Sequence, residues 1–306
     1  VALTLTEASK LSNDMLIRGV AETVIKDSPI LQKLPFIEVM GNSLTYNREN
    51  TLPGIDFYDV GESWKESTPT FEQKTATLKI IGGDADVDNF LKATRSNIQD
   101  LEAAVIEMKA KALRHKFEEI FIYGDSELNA KQFDGIRKLI DTETESNRVI
   151  SVSATGGSLT LDCLDELIDA VKGDKPDMLL MSRRLRRKIN SLVRGTGSML
   201  ATESDNWGNF IQLWDGIPIG VNDWILDTHI VEDGVETAVI GGGCSTIYAL
   251  QFGEGALCGL SGPGFLQVES LGQLENKDAS RTRVKWYCSM ALFSSVKAAA
   301  LIGVKD

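Results

Sequence analysis

Hydrophobic and polar positions along the 306-residue chain change their period several times. From Thr6 to Lys26, Leu11, Met15, Val20 and Val24 recur at helical spacing and predict an amphipathic helix. Ser28-Pro29 and Leu34-Pro35 then punctuate the chain, because proline disfavours helix in the residue before it. Between 36 and 81 alternation replaces the helical period. Leu44-Thr45-Tyr46-Asn47 and Thr75-Ala76-Thr77-Leu78-Lys79-Ile80 predict strands, separated by a polar middle at 53–69. Legs of about fifteen residues would project this excursion roughly 50 Å. A lone two-stranded ribbon is marginal in water, so a neighbouring subunit is expected beneath it.

The clearest predicted helix spans Asn89–Tyr123. Ile98, Leu101, Val105, Met108 and Ala112 alternate spacings of three and four, giving a continuous apolar stripe. Gly124-Asp125 ends the helix, and at about 1.5 Å per residue it approaches 50 Å. Residues 125–157 are turn-rich and close on Thr155-Gly156-Gly157. An α/β pattern follows: helix Leu161–Lys172, strand Met178–Met181, and a basic helix Arg183–Arg194. After a polar loop from Gly195 to Gly208, strands are predicted at 217–221, 237–240 and 246–250. Two strand-like runs, 264–271 and 282–295, precede an alanine-rich end at 298–304.

Composition narrows the class without naming a function. Apolar residues make up 42% and charged residues 25%, an ordinary globular balance that excludes a disordered or collagen-like chain. The length allows roughly two domains. Lys+Arg number 32 against 44 Asp+Glu, so 32 − 44 gives a net charge of −12. That argues against a general nucleic-acid binder, while leaving room for a local basic face. Cys163, Cys244, Cys258 and Cys288 form no CxxC pair, and the histidines are His115 and His229. A structural zinc site needs closely spaced soft ligands, so none is expected. Four cysteines in so long a chain fit a reducing compartment better than a disulfide scaffold. Glu7, Lys10, Asp14 and Arg18 interrupt any signal-peptide pattern, and Lys297 interrupts the apolar run near the C-terminus. The chain opens at Val1, which fits removal of residues from an N-terminus.

Candidate chemistry is thin. Asp84, Asp86 and Asp88 begin like a calcium loop, but Asn89 and Arg95 stand where glycine and glutamate are needed. The acids read instead as an N-cap region favoured by the helix dipole. Gly241-Gly242-Gly243-Cys244-Ser245, with His229 upstream, can be drawn as a thiol nucleophile and base, or as a glycine turn carrying a small buried cysteine. No phosphate-binding or nucleophile-elbow motif is present. Arg183, Arg184, Arg186, Arg187 and Lys188, with Arg194 nearby, form the dense basic cluster. It reads either as a surface for packaged nucleic acid or as an ion-pair surface against protein. Trp64, beside Lys65 in the polar excursion, is a candidate interface anchor or an internal packing residue. His115 is expected to be structural. Catalytic, cofactor and metal residues are all expected to be absent.

This order of segments resembles the major capsid proteins of tailed bacteriophages, the Hong Kong 97 type or Johnson fold. The likeness is carried by Ala2-Leu3-Thr4-Leu5-Thr6-Glu7-Ala8 through Pro35, and by Gly41-Asn42-Ser43-Leu44-Thr45-Tyr46-Asn47-Arg48. It continues in Gly82-Gly83-Asp84-Ala85-Asp86-Val87-Asp88 and in Val284-Lys285-Trp286-Tyr287-Cys288. The resemblance implies an α+β capsid fold, divided into an N-arm at 1–35, an E-loop and its base at 36–81, and a P-domain at 82–157. An A-domain at 158–262 and a return to the P-domain at 263–306 complete it. It implies a non-enzymatic shell protein that assembles with copies of itself in hexamers and pentamers around double-stranded DNA. Scaffolding, portal and decoration proteins are the further partners; no membrane is involved, and the location is the virion after assembly in the host cytoplasm. Trp64, Lys65, Arg183, Arg184, Arg186 and Arg187 become candidate subunit-interface residues. Some members of the family cross-link a loop lysine, for which Lys65 and Lys74 are the positions here. An encapsulin-type nanocompartment shell is the alternative on the same fold, and a cysteine hydrolase using Cys244 and His229 the alternative outside it.

Overall fold

The computed structural model describes residues 3–4, 24, 28–51, 53–90, 101–141, 148–197, 199–204, 208–232, 235–237 and 242–305. Apart from the buried Val24, the helix expected over Thr6–Lys26 lies outside the described residues, as do 91–100 of the helix expected over Asn89–Tyr123, the strand over 237–240 beyond Thr237, and Trp207.

In chain order, β1 (Leu3–Thr4) is followed by the short helix α1 (Pro29–Lys33) and β2 (Pro35–Glu38). Ser28 caps α1 by accepting from the Leu31 amide, and Pro29 occupies its first turn, where its missing N–H costs nothing. β3 (Ser43–Thr51) and β4 (Thr70–Thr77) pair antiparallel as a separate two-stranded ribbon. β5 (Lys79–Asp88) leads to the spine helix α2 (Leu101–Tyr123) and to α3 (Ile136–Asp141). β6 (Val149–Ser151), β7 (Gly157–Ser158), α4 (Leu161–Ala170), β8 (Met178–Met181) and α5 (Arg183–Gly195) form the α/β run. β9 (Ala201–Ser204), β10 (Phe210–Trp214), β11 (Ile217–Val221), β12 (Ile230–Glu232), β13 (Val235–Thr237) and β14 (Ser245–Leu250) follow. β15 (Leu257–Gln273), β16 (Ala279–Leu292) and β17 (Ala298–Lys305) close the chain.

Two sheets organise these elements. The five-stranded sheet runs β1-β2-β15-β16-β5, and the larger one runs β6-β17-β14-β8-β11-β10-β9, with β7 alongside β17. The expected closing segment at 263–306 therefore divides: β16 lies in the first sheet and β17 in the second. The loop expected at 195–208 contains β9, whose residues are all exposed.

The central strands of the larger sheet, β8, β14 and β17, are buried on both faces, so they read as nearly unbroken apolar runs. Leu179 and Met181 of β8 and Ile247 and Ala249 of β14 face a layer formed by α4 and α5. Met178, Leu180, Tyr248 and Leu250 point the other way, into the core shared with the spine helix. Those helices were legible because their apolar positions match the period: Leu164, Leu167 and Ile168 in α4, and Leu185, Ile189 and Val193 in α5, are buried.

Over the described residues Leu101–Tyr123 the spine helix lies within its expected span, but a different stripe faces the core. Ile106, Ala110, Leu113, Phe117, Ile120 and Phe121 are buried, whereas Met108 is 69% exposed and Ala112 is also exposed. Two stripes share the spacing of three and four, and the bulkier aromatic one wins the interior because it buries more area. Phe117 stacks on Trp286 of β16 at 4.9 Å between ring centroids, and Phe36 of β2 lies 5.3 Å from the same indole. The Trp286 Nε1–H donates to Ser261 Oγ at 3.1 Å, so the one polar atom of this large buried ring is satisfied.

The acids ahead of the helix are a second correction. Asp84 and Asp86 are not an N-cap; they lie within β5, and Ala85 and Val87, which alternate with them, are buried on its opposite face. The register sets Arg283 opposite Asp84 and Arg281 opposite Asp86. Arg283 Nε lies 2.6 Å from Asp84 Oδ1, and Arg281 Nε the same distance from Asp86 Oδ1, with a second donor of each guanidinium on the other oxygen. The cross-strand arginines decide the matter, because a bidentate pair outweighs a terminal dipole contact. Asp88 alone keeps the expected role, accepting from the Phe90 amide at 2.8 Å.

Candidate assembly interface

The ribbon supplies the first candidate surface. Its paired legs are shorter than expected, eight or nine residues each, so they span roughly 30 Å. Its base is tied to the globule. Arg48, 5% exposed, donates through Nε to the Leu292 carbonyl at 2.9 Å, and Tyr46 meets Phe293 edge-on at 4.8 Å. Leu44, Tyr46 and Ala76 pack with Leu78 and Phe293 against Val39, Leu260 and Ala291.

The tip, 53–69, is the polar middle of the sequence. It holds Ile55, Phe57, Val60 and Trp64, each more than four-fifths exposed. The Trp64 ring lies 4.5 Å from that of Tyr58 within the tip, and the residue remains 81% exposed. Lys65 donates its backbone N–H to the Tyr58 hydroxyl at 3.1 Å, and Gly54 donates its own to Ser67 Oγ at 2.8 Å. Asp59 and Glu62 close a further turn, with the Asp59 amide donating to Glu62 Oε2 at 3.1 Å. The tip thus has local order without a core. Lys74 pairs with Glu72 at 2.7 Å on the ribbon leg, away from Lys65 in sequence and in strand position.

The basic helix α5 supplies the second surface. Ser182 caps it, accepting from the Leu185 amide. The structure divides its arginines. Arg183 makes a bidentate pair with Asp223, and Arg184 lies 3.5 Å from Asp227 and donates to the Gly243 carbonyl at 2.7 Å. Arg186 and Arg187 are exposed and, among the described residues, form no ion pair. Asn190 and Gln212 join the helix to β10 at 3.1 Å. The sequence located this helix but had no means of telling inward-serving arginines from outward ones, since Asp223 and Asp227 come from a distant turn.

A junction missed by sequence reasoning joins the N-terminal segment, the spine helix and the loop after β11. Glu118 is 7% exposed, and burial raises its carboxyl above the ordinary value, although hydrogen bonds from Ser28 and Trp224 and the charge of Arg114 favour the ionised form. Beside it, His115 packs edge-on against Trp224 at 5.8 Å, a structural role. An acid at a non-core position of a helix carries no signal that two other segments will cover it.

The Cys244–His229 pair is brought together, but as backbone: each amide donates to the other's carbonyl, at 2.9 and 3.1 Å. Both residues are buried. His229 Nε2 lies 3.0 Å from the Tyr123 hydroxyl and Nδ1 3.4 Å from Thr246 Oγ1, so both ring nitrogens are already engaged. This is the small buried cysteine in a glycine turn, where any side chain at Gly242 would collide with the His229 carbonyl. All four cysteines are free. Among the described residues no cluster of His, Cys, Asp and Glu could hold a metal, and no helix is long and apolar enough to cross a membrane.

A ribbon projecting from the base of a five-stranded sheet, a spine helix across that sheet, and an α/β unit built on a second sheet define the Hong Kong 97-type capsid fold, shared by phage capsids and encapsulins. The solved structures agree. The SrpI encapsulin of Synechococcus elongatus PCC 7942 matches with a TM-score of 0.69 at 19% identity, over 100% of this chain and 97% of that one. The structure titled Mycobacterium phage Bobi matches with a TM-score of 0.63 at 16% identity, over 100% and 99%. The capsid of a native GTA particle matches with a TM-score of 0.65 at 14% identity, over 92% and 90%. No curated protein sequence matches the chain. The profile of the phage capsid family matches residues 11–233, and the chain belongs to that family. It is a shell-forming protein that associates with copies of itself.

Proposed function

We propose that this chain is the major capsid protein of a tailed bacteriophage, building hexamers and pentamers into an icosahedral head around double-stranded DNA. The observation that carries the reading is the ribbon tip. Ile55, Phe57, Val60 and Trp64 are exposed on a projection with no core of its own, and such a patch needs burial on another copy. Membership of the phage capsid family supports the viral content of the shell. The net charge of −12 suits a container that encloses DNA without gripping it everywhere. The protein acts as a structural tile without catalytic chemistry. It is made and assembled in the host cytoplasm, with scaffolding, portal and decoration proteins as further partners, and functions in the virion. The division into N-arm (1–35), E-loop (36–81), P-domain (82–157 and 263–306) and A-domain (158–262) goes with this reading, with β17 of the closing segment set into the sheet of the A-domain strands β8 and β14. So does an interface role for Trp64 and Lys65, and Lys65 is the better placed of the two lysines for any cross-link.

The SrpI match, which covers nearly all of both chains, favours a second reading, an encapsulin-type compartment holding protein cargo. Electron microscopy of shells made by the chain, with the absorbance ratio of their contents, separates the two. Virus-sized heads containing DNA, formed with portal and scaffold present, are expected; small shells enclosing protein would overturn the phage assignment. Phe57→Ala with Trp64→Ala should leave folding within about 0.5 kcal/mol, as surface changes do, and abolish shells. Normal shells from that variant would remove the ribbon tip from the interface.

A further inference from the structure

Helices α4 and α5 lie on the same face of the larger sheet, and each carries charge of a single sign. In α4, Asp162, Asp165, Glu166 and Asp169 are exposed and no cation accompanies them. Arg183, Arg184, Arg186, Arg187 and Lys188 crowd the first half of α5, with no acid in its first turn. Both arrangements oppose the helices that hold them. Asp162–Glu166, Asp165–Asp169, Arg183–Arg187 and Arg184–Lys188 are like-charge pairs one turn apart, which destabilise a helix. Cations at the start of α5, and an acid at the end of α4, also face the wrong pole of the helix dipole.

Within the protomer this repulsion is relieved only in part. Asp223 and Asp227 serve Arg183 and Arg184, and Asp165 accepts from the Trp214 indole at 3.2 Å. Among the described residues, Asp162, Glu166 and Asp169 on one side and Arg186, Arg187 and Lys188 on the other form no ion pair, and none joins α4 to α5. A surface with an acidic helix and a basic helix in one layer is complementary to a second copy of itself, in the head-to-tail manner that closes rings.

We infer that α4 of one copy docks against α5 of the next, setting Asp162, Glu166 and Asp169 opposite Arg186, Arg187 and Lys188, and that this contact repeats around the capsomer. The inference rests on the shell reading and names the surface by which neighbouring A-domain units recognise each other. A polyanion lying on α5 would account for the arginines and leave the acids of α4 without partners.

The test is a charge exchange in the full chain. Asp162→Lys/Glu166→Lys reverses one face, Arg186→Glu/Arg187→Glu the other, and a third chain carries all four changes. Folding is followed by thermal melts, association by mass photometry and negative-stain microscopy, and contents by absorbance. Each one-face variant should need about tenfold more protein to associate, and the four-substitution chain should recover most of the loss. Should the arginine reversal unfold the chain, Arg186→Gln/Arg187→Gln gives the same readout with a smaller shift. Association equal to the parent in either one-face variant overturns the inference, as does failure of the combined chain to recover. Loss of enclosed nucleic acid with unchanged rings in the arginine variant reassigns α5 to the contents. A parent that forms rings but never shells would sink the shell reading while leaving this contact standing, and intact shells indifferent to both reversals would do the opposite.

Discussion

Replacing Trp286 probes the packing that holds the spine helix on the five-stranded sheet. The indole is 1% exposed, stacked on Phe117 and flanked by Phe36. Burying an indole of roughly 200 Å² at about 25 cal/mol per Å² gives an upper bound near 5 kcal/mol. Trp286→Ala also leaves a cavity between helix and sheet that neither can collapse to fill, so a loss of about 3–5 kcal/mol is expected. Trp286→Phe keeps most of the stack and loses the Nε1–H···Ser261 bond. Ser261 is fully buried, but its hydroxyl still donates to the Gly262 carbonyl at 3.3 Å, so the penalty should stay near 1–2 kcal/mol. Urea denaturation followed by far-UV circular dichroism measures both, at concentrations low enough that association does not add to apparent stability. A loss below about 1 kcal/mol for Trp286→Ala, or equal losses for the two variants, would refute the view that this ring contact carries the helix–sheet junction.

Three further outcomes follow from charge and burial. Hydrogen bonds from Arg283 and Arg281 hold the Asp84 and Asp86 carboxyls below their ordinary values, so their contribution is complete above the unfolded value near pH 4 and fades as pH falls through the folded one. Asp84→Asn/Asp86→Asn should therefore flatten the loss of thermal stability on acidification below about pH 4; an unchanged acid limb would contradict the ion-pair ladder. Glu118 has the opposite sign, because burial raises its carboxyl and the penalty for ionising it in the fold grows as pH rises above the unfolded value of about 4.3. Glu118→Gln should thus melt higher than the parent at pH 8 with the difference vanishing near pH 4, and a lower melting point at pH 8 would show that its bonds to Ser28 and Trp224 outweigh the burial. Burial pushes the Cys258 thiol up to about 12 and raises Cys288 further, while Cys244 is enclosed and Cys163 is half-buried. A thiol reagent should accordingly label Cys163 in the native protein and all four cysteines after denaturation; native labelling of Cys244 would reopen its reading as a nucleophile.

Much of the chain was legible without coordinates. The α4–β8–α5 run and β14 stand close to where their periods placed them, since local spacing of apolar residues is what a helix or strand needs to bury one side. The ribbon legs were legible for the same reason, as was the lack of a core between them. The order of these segments also carried the likeness to shell proteins. What failed were statements about facing and pairing. Spacing says that a helix has an apolar stripe, but the spine helix has two, and only Trp286, Phe36 and Phe133 from distant strands and loops decide that Phe117 and Ile120 turn inward rather than Met108 and Ala112.

The same holds for charge. By itself the sequence determined that three acids precede a helix, that six cations crowd another, and that a tryptophan sits in a polar excursion. Tertiary structure alone decided that Asp84 and Asp86 meet Arg283 and Arg281 across a strand pair, and that Asp223 and Asp227 absorb Arg183 and Arg184 while Arg186 and Arg187 stay outward. It also decided that β17 leaves the sheet of β16 for the other one. The physical reason is the range of the interaction: periodicity is set by neighbours three or four residues away, whereas strand partners and counter-ions come from residues tens to hundreds of positions distant, which only the folded chain brings within reach.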